Sequence, residues 1–124
     1  MLGSSQLVGF VATTDLDRAA RFYGGVLGLD SIYESPVVRV FNANGTKLRV
    51  SLVDELVPAP FTVLGWTVDD IQESVRFLQA KAVAFERFPG MEQDELEIWT
   101  TPSGDRVAWF RDPDGNVLSL TQTH

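Results

Sequence analysis

Few side chains in this sequence are suited to covalent or acid–base chemistry at neutral pH. The chain contains no Cys and a single His, His124, at its last position. A hydroxyl nucleophile needs a neighbouring base, so no Ser-His or Cys-His triad can be built. Tyr23 and Tyr33 have no evident partner that would activate their hydroxyl groups, and no glycine-rich loop typical of phosphate binding is present. The sequence therefore indicates no nucleophilic site.

Carboxylates are concentrated in one segment, Pro89 to Leu96, which the pattern predicts to be a loop. One interpretation is a solvated acidic loop. Another is a lid over a binding site, with Met91 and Glu92 at its tip. A third is that Glu92, Asp94 or Glu95 acts as a general base.

The elements that would have to position these residues are repeated within the chain. Asn44-Gly45 precedes an alternating segment, Lys47 to Leu52, and Asp114-Gly115 precedes a matching one 70 positions later. Both dipeptides favour the positive φ of a hairpin turn, and alternation with period two predicts strands. Thr14-Asp15-Leu16 and Asp69-Asp70-Ile71, which are 55 positions apart, both resemble helix N-termini, with Thr14 or Asp15 as the cap of the first helix and Asp69-Asp70 at the second. We interpret these matches as two copies of one supersecondary unit.

The remaining pattern predicts many strands and only two helices. Strands are expected at 6–13, 31–33, 37–41, 47–53, 61–68, 83–88, 98–101, 106–111 and 117–121. The second helix is expected to bury Ile71, Val75, Phe77 and Leu78. An α/β fold needs a helix between successive strands, and two helices are too few for that. The sequence therefore predicts an α+β fold with helices on one side of a sheet.

Length and charge restrict the class of protein. At 124 residues, with 44% hydrophobic and 22% charged residues, the chain suits one globular domain, 1–124, with modules at 6–54 and 61–122. The net charge of −7 argues against nucleic acid and anionic membranes as partners, because both attract clustered Lys and Arg. No signal peptide or membrane-spanning run is evident, so a cytoplasmic location is expected.

Several segments, in this order and spacing, resemble the glyoxalase/bleomycin-resistance/extradiol dioxygenase family, also called vicinal oxygen chelate proteins. They are Phe10 to Tyr23, Leu27-Gly28-Leu29, Val68-Asp69-Asp70-Ile71 and Arg111-Asp112-Pro113-Asp114-Gly115-Asn116. The resemblance implies two βαβββ modules whose strands, about eight in all, form a cup-shaped mixed sheet with helices on its outer face. It also implies a homodimer.

Enzymes of this family hold a divalent metal with His and Glu side chains from the first and last strand of each module. The resemblance puts these positions at Val8, Arg49, Val63 and Ser119. Valine has no donor atom, a guanidinium repels a cation, and a lone hydroxyl is a poor ligand. We therefore expect no metal and no other cofactor at this site, which disfavours activities that use the metal as a Lewis acid.

Strand alternation then indicates which other residues would face the cup. The candidate ligand-binding residues are Val8, Phe10, Arg49, Ser51, Val63, Trp99, Ser119 and Thr121. The opposite face would carry Leu48, Val50, Leu52, Leu64, Trp66, Leu118 and Leu120 under the helices. Aromatic side chains in this set either stack on a planar ligand or pack in the core or a dimer interface.

Arg49 is the candidate that carries a charge. If it is buried, it requires a carboxylate, from a ligand or from the protein. The alternatives are an internal Glu partner or a side chain that extends to solvent. Lys47 is expected to be solvated.

Two functions of different classes follow from this sequence. One is a metal-free protein that binds a small molecule near Arg49. The other is a glyoxalase-like lyase or dioxygenase-related enzyme with no metal site or a non-standard one, using carboxylates such as Glu92, Glu95 or Glu97. A domain without any ligand is a third option. An acidic protein suits a cationic ligand, whereas Arg49 suits an anionic one, and the sequence leaves this open.

Overall fold

Each half of the chain folds into one helical segment packed on a four-stranded sheet. The computed structural model describes residues 1–124, which divide into an N-terminal unit, Met1–Val57, and a C-terminal unit, Pro58–His124. Both units have the order strand, helix, three strands. The predicted α+β class, with eight strands in two βαβββ modules, is confirmed. The strands form two four-stranded sheets, one in each unit.

The N-terminal unit contains β1 (Val8–Thr13), α1 (Leu16–Ala20), β2 (Asp30–Glu34), β3 (Val38–Ala43) and β4 (Thr46–Leu52). A 3-10 turn, Leu2–Ser4, precedes β1, and α1 continues into a π-helical turn, Arg21–Val26. The sheet order is β1-β4-β3-β2. Strands β1 and β4 are parallel, and the other two pairs are antiparallel.

The C-terminal unit contains β5 (Thr62–Thr67), α2 (Ile71–Ala80), β6 (Trp99–Thr100), β7 (Arg106–Arg111) and β8 (Val117–Gln122). Its sheet order, β5-β8-β7-β6, matches that of the first unit, and its first and last strands are again parallel. No helix in the chain has both the length and the apolar character needed to cross a membrane.

Equivalent residues begin the helices and turns of the two units. Asp15 and Asp70 are N-caps whose carboxylates accept from the backbone N–H three residues later, at 3.1 and 3.0 Å. Gly45 and Gly115 both adopt positive φ, +94° and +91°, which glycine adopts without strain. The sequence matches therefore correspond to repeated backbone geometry.

The core of the N-terminal unit lies between its helix and one face of its sheet. Leu48 and Val50 of β4 are buried on this face, and the ring of Phe41 from β3 lies 6.2 Å from the ring of Tyr23. The alternate residues of β4, Lys47 and Arg49, are exposed. Alternation in β4 thus separates a core face from an open face, as the sequence predicts.

The core of the C-terminal unit is built in the same way. Ile71, Val75 and Leu78 of α2 are buried, as are Leu118 and Leu120 of β8. Helix α2 packs on β7 and β8. The buried stripe of the helix has the spacing i, i+4, i+7, which is typical of a surface helix on a sheet.

Three sequence-based expectations about these elements are wrong. Phe77 is 57% exposed and lies under the Lys81 ammonium, 5.1 Å from the ring centroid. An α-helix turns by 100° per residue, so Phe77 lies about 120° around the helix axis from Ile71, outside the buried stripe. Leu52, at the end of β4, is 41% exposed and does not belong to the core face.

The third error is the predicted strand at 83–88. Only an isolated bridge forms there, between Phe85 and Phe110, together with a hydrogen bond from Glu86 N to Trp109 O at 2.8 Å. Strand β6 occupies the same edge of β7 opposite Arg106 and Val107. Because β6 takes part of this edge, the segment 83–88 pairs only at the remaining end.

Candidate functional site

The open face of the N-terminal sheet contains a hollow of about 460 Å³. It is lined by Val8, Ile32, Tyr33, Val40, Lys47 and Arg49. Four of these side chains present carbon surface and two carry a positive charge. Small-molecule sites usually have a mostly apolar lining with a few polar groups, and the volume of this hollow lies within the range typical of such sites.

The strand register brings these side chains to one face. Arg49 of β4 lies between Phe10 of β1 and Val40 of β3, and Val40 in turn pairs with Tyr33 of β2. Residues that pair directly across strands project from the same face of the sheet. Phe10, Arg49, Val40 and Tyr33 therefore form one continuous row across the unit.

A β-bulge in the edge strand completes the lining. Ser31 pairs with Phe41 and Tyr33 pairs with Val40, so Ile32 is an extra residue in β2. A bulge bends its strand and redirects neighbouring side chains. Ile32 and Tyr33, although consecutive, both line the hollow. Alternation in the sequence does not indicate this arrangement. Ile32, Tyr33 and Val40 are lining residues that sequence reasoning missed.

The two cations of the hollow have no counter-ion within the chain. Arg49 and Lys47 are exposed, and neither forms an ion pair or side-chain hydrogen bond. No acidic residue lines the hollow. The burial considered for Arg49 is thus wrong, because the side chain extends into solvent. Lys47 is solvated as expected.

The remaining candidates of this unit lie beside the hollow. Phe10 pairs with Arg49 and is 64% exposed, although it is outside the lining set. Ser51 is half-buried near the opposite end of β4 from Lys47, where it pairs with Ala12 and Val38. The structure therefore brings Val8 and Arg49 together in the hollow, with Phe10 at its edge and Ser51 outside it.

The other candidates belong to the C-terminal unit. Ser119 pairs with Gly65 and Trp109, while Thr121 pairs with Thr67 and Val107. A Cβ at Gly65 would lie 2.5 Å from the Ser119 hydroxyl oxygen, so the glycine leaves the space in which that hydroxyl sits.

Trp99 and Val63 occupy opposite edges of the C-terminal sheet. Trp99 of β6 stacks on Trp109 with ring centroids 6.2 Å apart. Val63 is the extra residue of a bulge in β5, between Thr62 and Leu64. Its position therefore differs in register from that of Val8 in β1.

The acidic loop is anchored by a buried glutamine. The Gln93 amide donates to Glu86 O and Glu97 O, both at 2.8 Å, and its oxygen accepts from Phe88 N at 2.7 Å. The Asp94 carboxylate accepts from the backbone N–H groups of Leu96 and Ile98. Met91 joins this segment through its backbone, donating to Phe88 O at 3.2 Å and accepting from Gln93 N at 3.1 Å, whereas Glu92 is exposed. Sequence reasoning missed Gln93, since a polar residue in a polar loop gave no indication of burial.

The donor set does not fit a metal ion. Nowhere in the chain do three or more His, Cys, Asp or Glu side chains form a group that could hold one. Glu97, one of the carboxylates considered, is ion-paired with Arg87 at 2.8 Å. His124 lies against Gly104, and its backbone N–H donates to Asp105. The residues at the metal positions implied by the family resemblance, Val8 and Arg49 among them, supply no carboxylate or imidazole.

Comparison with solved structures shows the same fold in many proteins. A glyoxalase/bleomycin resistance protein/dioxygenase superfamily member from Sphaerobacter thermophilus DSM 20745 is 22% identical, with a TM-score of 0.79 over 99% of this chain and 100% of the other. Lactoylglutathione lyase from Agrobacterium tumefaciens is 20% identical, with a TM-score of 0.75 over 96% and 93%. TnmS3, an antibiotic binding protein from Streptomyces sp. CB03234, is 28% identical, with a TM-score of 0.71 over 98% and 97%.

No curated protein sequence matched the chain. A family model, by contrast, matches residues 6–120, which is nearly the whole sequence. The matched range includes the first βαβββ module, all of the second except the last two residues of β8, and every strand that lines the hollow. The chain belongs to the glyoxalase/bleomycin resistance protein/dioxygenase superfamily.

Proposed function

We propose that this protein binds a small molecule without a metal ion, in the hollow of the N-terminal unit beside Arg49. The observation that carries the proposal is the combination of an apolar lining with two cations that have no partner in the chain. Exposed cations are ordinary on a protein surface, but these two border a concave apolar surface. A ligand would bury the apolar lining and supply the missing anion.

The donor chemistry and one structural relative support binding without a metal. The residues at the implied metal positions of the N-terminal unit, Val8 and Arg49, give a cation nothing to bind. TnmS3, at 28% identity, is an antibiotic binding protein. The lyase from Agrobacterium tumefaciens, at 20% identity, supports the shared fold but not a shared reaction.

A thermal-shift screen with small carboxylates and cationic antibiotics tests the proposal. A ligand at 100 times its Kd stabilises the folded state by about 2.7 kcal/mol. For a chain of this length, that corresponds to a rise in Tm of about 10 °C. If no compound in either class raises Tm, the proposal loses its support.

Two matched variants then locate the binding site. Val8→Trp places a large ring in the hollow and is expected to abolish the shift. Val37→Trp is the control, because Val37 is 62% exposed in the same unit and does not line the hollow. A ligand that binds Val8→Trp as well as the wild type would contradict the location. Near-stoichiometric Zn, Ni, Fe or Mn in protein purified without chelators would contradict the absence of a metal and favour an enzyme.

We also propose that two copies of the chain form a homodimer. Large apolar side chains outside the hollow are exposed in both units, including Val57 at 92% and Phe61 at 65%. Such residues are often buried when proteins associate. Sedimentation at micromolar concentration is expected to give twice the chain mass of 13.7 kDa. A particle of monomer mass would contradict the proposal.

A further inference from the structure

We infer that the ligand of this hollow is a planar aromatic compound that carries a carboxylate. This inference rests on the proposed function and specifies the chemical class that the site selects. Three observations carry it: the unpaired cations, their spacing along β4, and the aromatic side chains in the same cross-strand row.

The charges of the hollow are opposite to those of the protein. The chain has 17 acidic and 10 basic residues, and its net charge is −7. Three arginines elsewhere are ion-paired with carboxylates: Arg39 with Asp17, Arg87 with Glu97, and Arg111 with Glu86. Lys47 and Arg49 have no such partner, and neither do Arg21, Arg76 and Arg106, but Lys47 and Arg49 are the two that line the hollow. The hollow is therefore a local positive site on an acidic protein, which attracts anions and disfavours cations.

The spacing of the two cations suits a single anionic group. Lys47 and Arg49 are two positions apart on one strand, so their Cα atoms are separated by roughly 6.6 Å and their side chains share one face. Like charges on neighbouring positions repel each other in the free protein. A carboxylate between them removes that repulsion. The planar guanidinium of Arg49 can bind both carboxylate oxygens, and the ammonium of Lys47 adds a second contact.

The surfaces around the cations suit a flat ring. Phe10 and Tyr33 lie at the two ends of the row that contains Arg49 and Val40. Three strand spacings of roughly 4.8 Å separate them, which leaves about 14 Å between the two ends. Val40 is 7% exposed and forms the floor. A fused two-ring compound fits this span with an aromatic side chain near either edge, where offset or edge-to-face ring contacts are favourable.

Three naphthalene probes with a negative, a neutral and a positive substituent test the inference. We would measure the Kd of 2-naphthoate, 2-naphthamide and (2-naphthyl)methylammonium by calorimetry at pH 7.5 and 50 mM NaCl. The naphthoate is expected to bind about tenfold more tightly than the neutral amide, since a charge-assisted bidentate contact is stronger than a neutral one. The ammonium compound is expected to bind most weakly. Raising NaCl to 500 mM is expected to reduce both the advantage of the naphthoate and the disadvantage of the ammonium compound, and to leave the Kd of the amide nearly unchanged.

Variants assign the effect to the two cations. Arg49→Gln is expected to remove the tenfold preference for naphthoate over naphthamide and to leave the Kd of the amide nearly unchanged. Lys47→Gln is expected to reduce the preference about threefold. Arg76→Gln is the matched control, because Arg76 is an exposed cation on α2 whose loss changes the net charge equally. All three positions are exposed, so folding is expected to persist, and thermal melts would verify this.

The outcomes separate this inference from the proposed function. If all three probes bind equally, or if the ammonium compound binds best, the hollow binds small molecules but the carboxylate class is wrong. If none of the probes binds and the wider thermal-shift screen also finds no ligand, the proposed function itself fails. If Arg76→Gln weakens naphthoate binding as much as Arg49→Gln does, the preference comes from overall charge and the assignment to Arg49 is overturned.

Discussion

Replacing the N-cap of helix α2 tests the physical basis of the internal repeat. The Asp70 carboxylate accepts a hydrogen bond from Glu73 N at 3.0 Å, and the Asp15 carboxylate accepts from Arg18 N at 3.1 Å. The first N–H groups of a helix have no partner within the helix, so a cap side chain satisfies one of them. Asp70→Ala removes this acceptor, and we expect the folded state to lose stability.

The size of the loss follows from the geometry and from the length of the chain. Removing a capping Asp usually costs about 1 kcal/mol, within a range of roughly 0.5–2 kcal/mol. At about 2.1 cal/mol/K per residue, 124 residues give an unfolding entropy near 0.26 kcal/mol/K. A loss of about 1 kcal/mol therefore lowers Tm by about 4 °C. Asp70→Ser keeps an oxygen acceptor and is expected to keep most of the stability.

The neighbouring Asp69 provides a matched control for charge. Asp69→Ala also removes one negative charge near the helix N-terminus, but the Asp69 carboxylate accepts no hydrogen bond. Any favourable interaction of a carboxylate with the helix dipole is shared by the two aspartates. The assay is thermal unfolding of the four proteins by circular dichroism. Equal Tm values for Asp69→Ala and Asp70→Ala would refute the capping argument, as would an Asp70→Ser variant as unstable as Asp70→Ala.

Two further predictions concern the C-terminal unit. Ile71→Ala is expected to lower the free energy of unfolding by about 2–5 kcal/mol because Ile71 is fully buried. Phe77→Ala is expected to lower it by less than about 1 kcal/mol, because Phe77 is largely exposed. Similar losses for the two variants in denaturant unfolding would contradict the assigned helix faces. Gln93→Ala removes three hydrogen bonds and is expected to lower the free energy of unfolding by about 2–3 kcal/mol. It is also expected to speed hydrogen exchange at Phe88 N. Unchanged exchange at this position would show that the loop does not depend on Gln93.

The parts of the fold that could be predicted from the sequence are those encoded by local residue chemistry. The sequence predicts helix N-caps at Thr14 or Asp15 and at Asp69-Asp70, and the caps are Asp15 and Asp70. It also predicts Gly45 and Gly115 as turn residues with positive φ, which is confirmed. Each of these features depends on a hydrogen bond or a dihedral angle within a few residues. Local chemistry therefore identified the two modules without any information on long-range contacts.

The errors arise where a segment competes with another part of the chain. The segment 83–88 has the apolar residues of a strand, but β6 already occupies part of the β7 edge. Phe77 has the hydrophobicity of a core residue, but its angular position excludes it from the buried stripe. Neither the occupied edge nor the orientation of α2 on its sheet is a property of the local sequence. These features require the tertiary arrangement.

The candidate site shows the same limit at the level of side chains. Arg49 and Ser119 occupy equivalent strands, β4 and β8, yet Arg49 is exposed and unpaired while Ser119 is 9% exposed beside Gly65. The repeat predicts which backbone positions are equivalent but not which side chains surround them. It therefore predicts that Arg49 lies on the open face but not which residues lie around Arg49. The surroundings depend on the bulge at Ile32, which adds one residue to β2 and has no counterpart in β6, a strand of only two residues. Because this bulge brings Ile32 and Tyr33 together beside Arg49, we expect ligand selectivity to reside in the edge strand of the first unit, where the two copies of the repeat differ most.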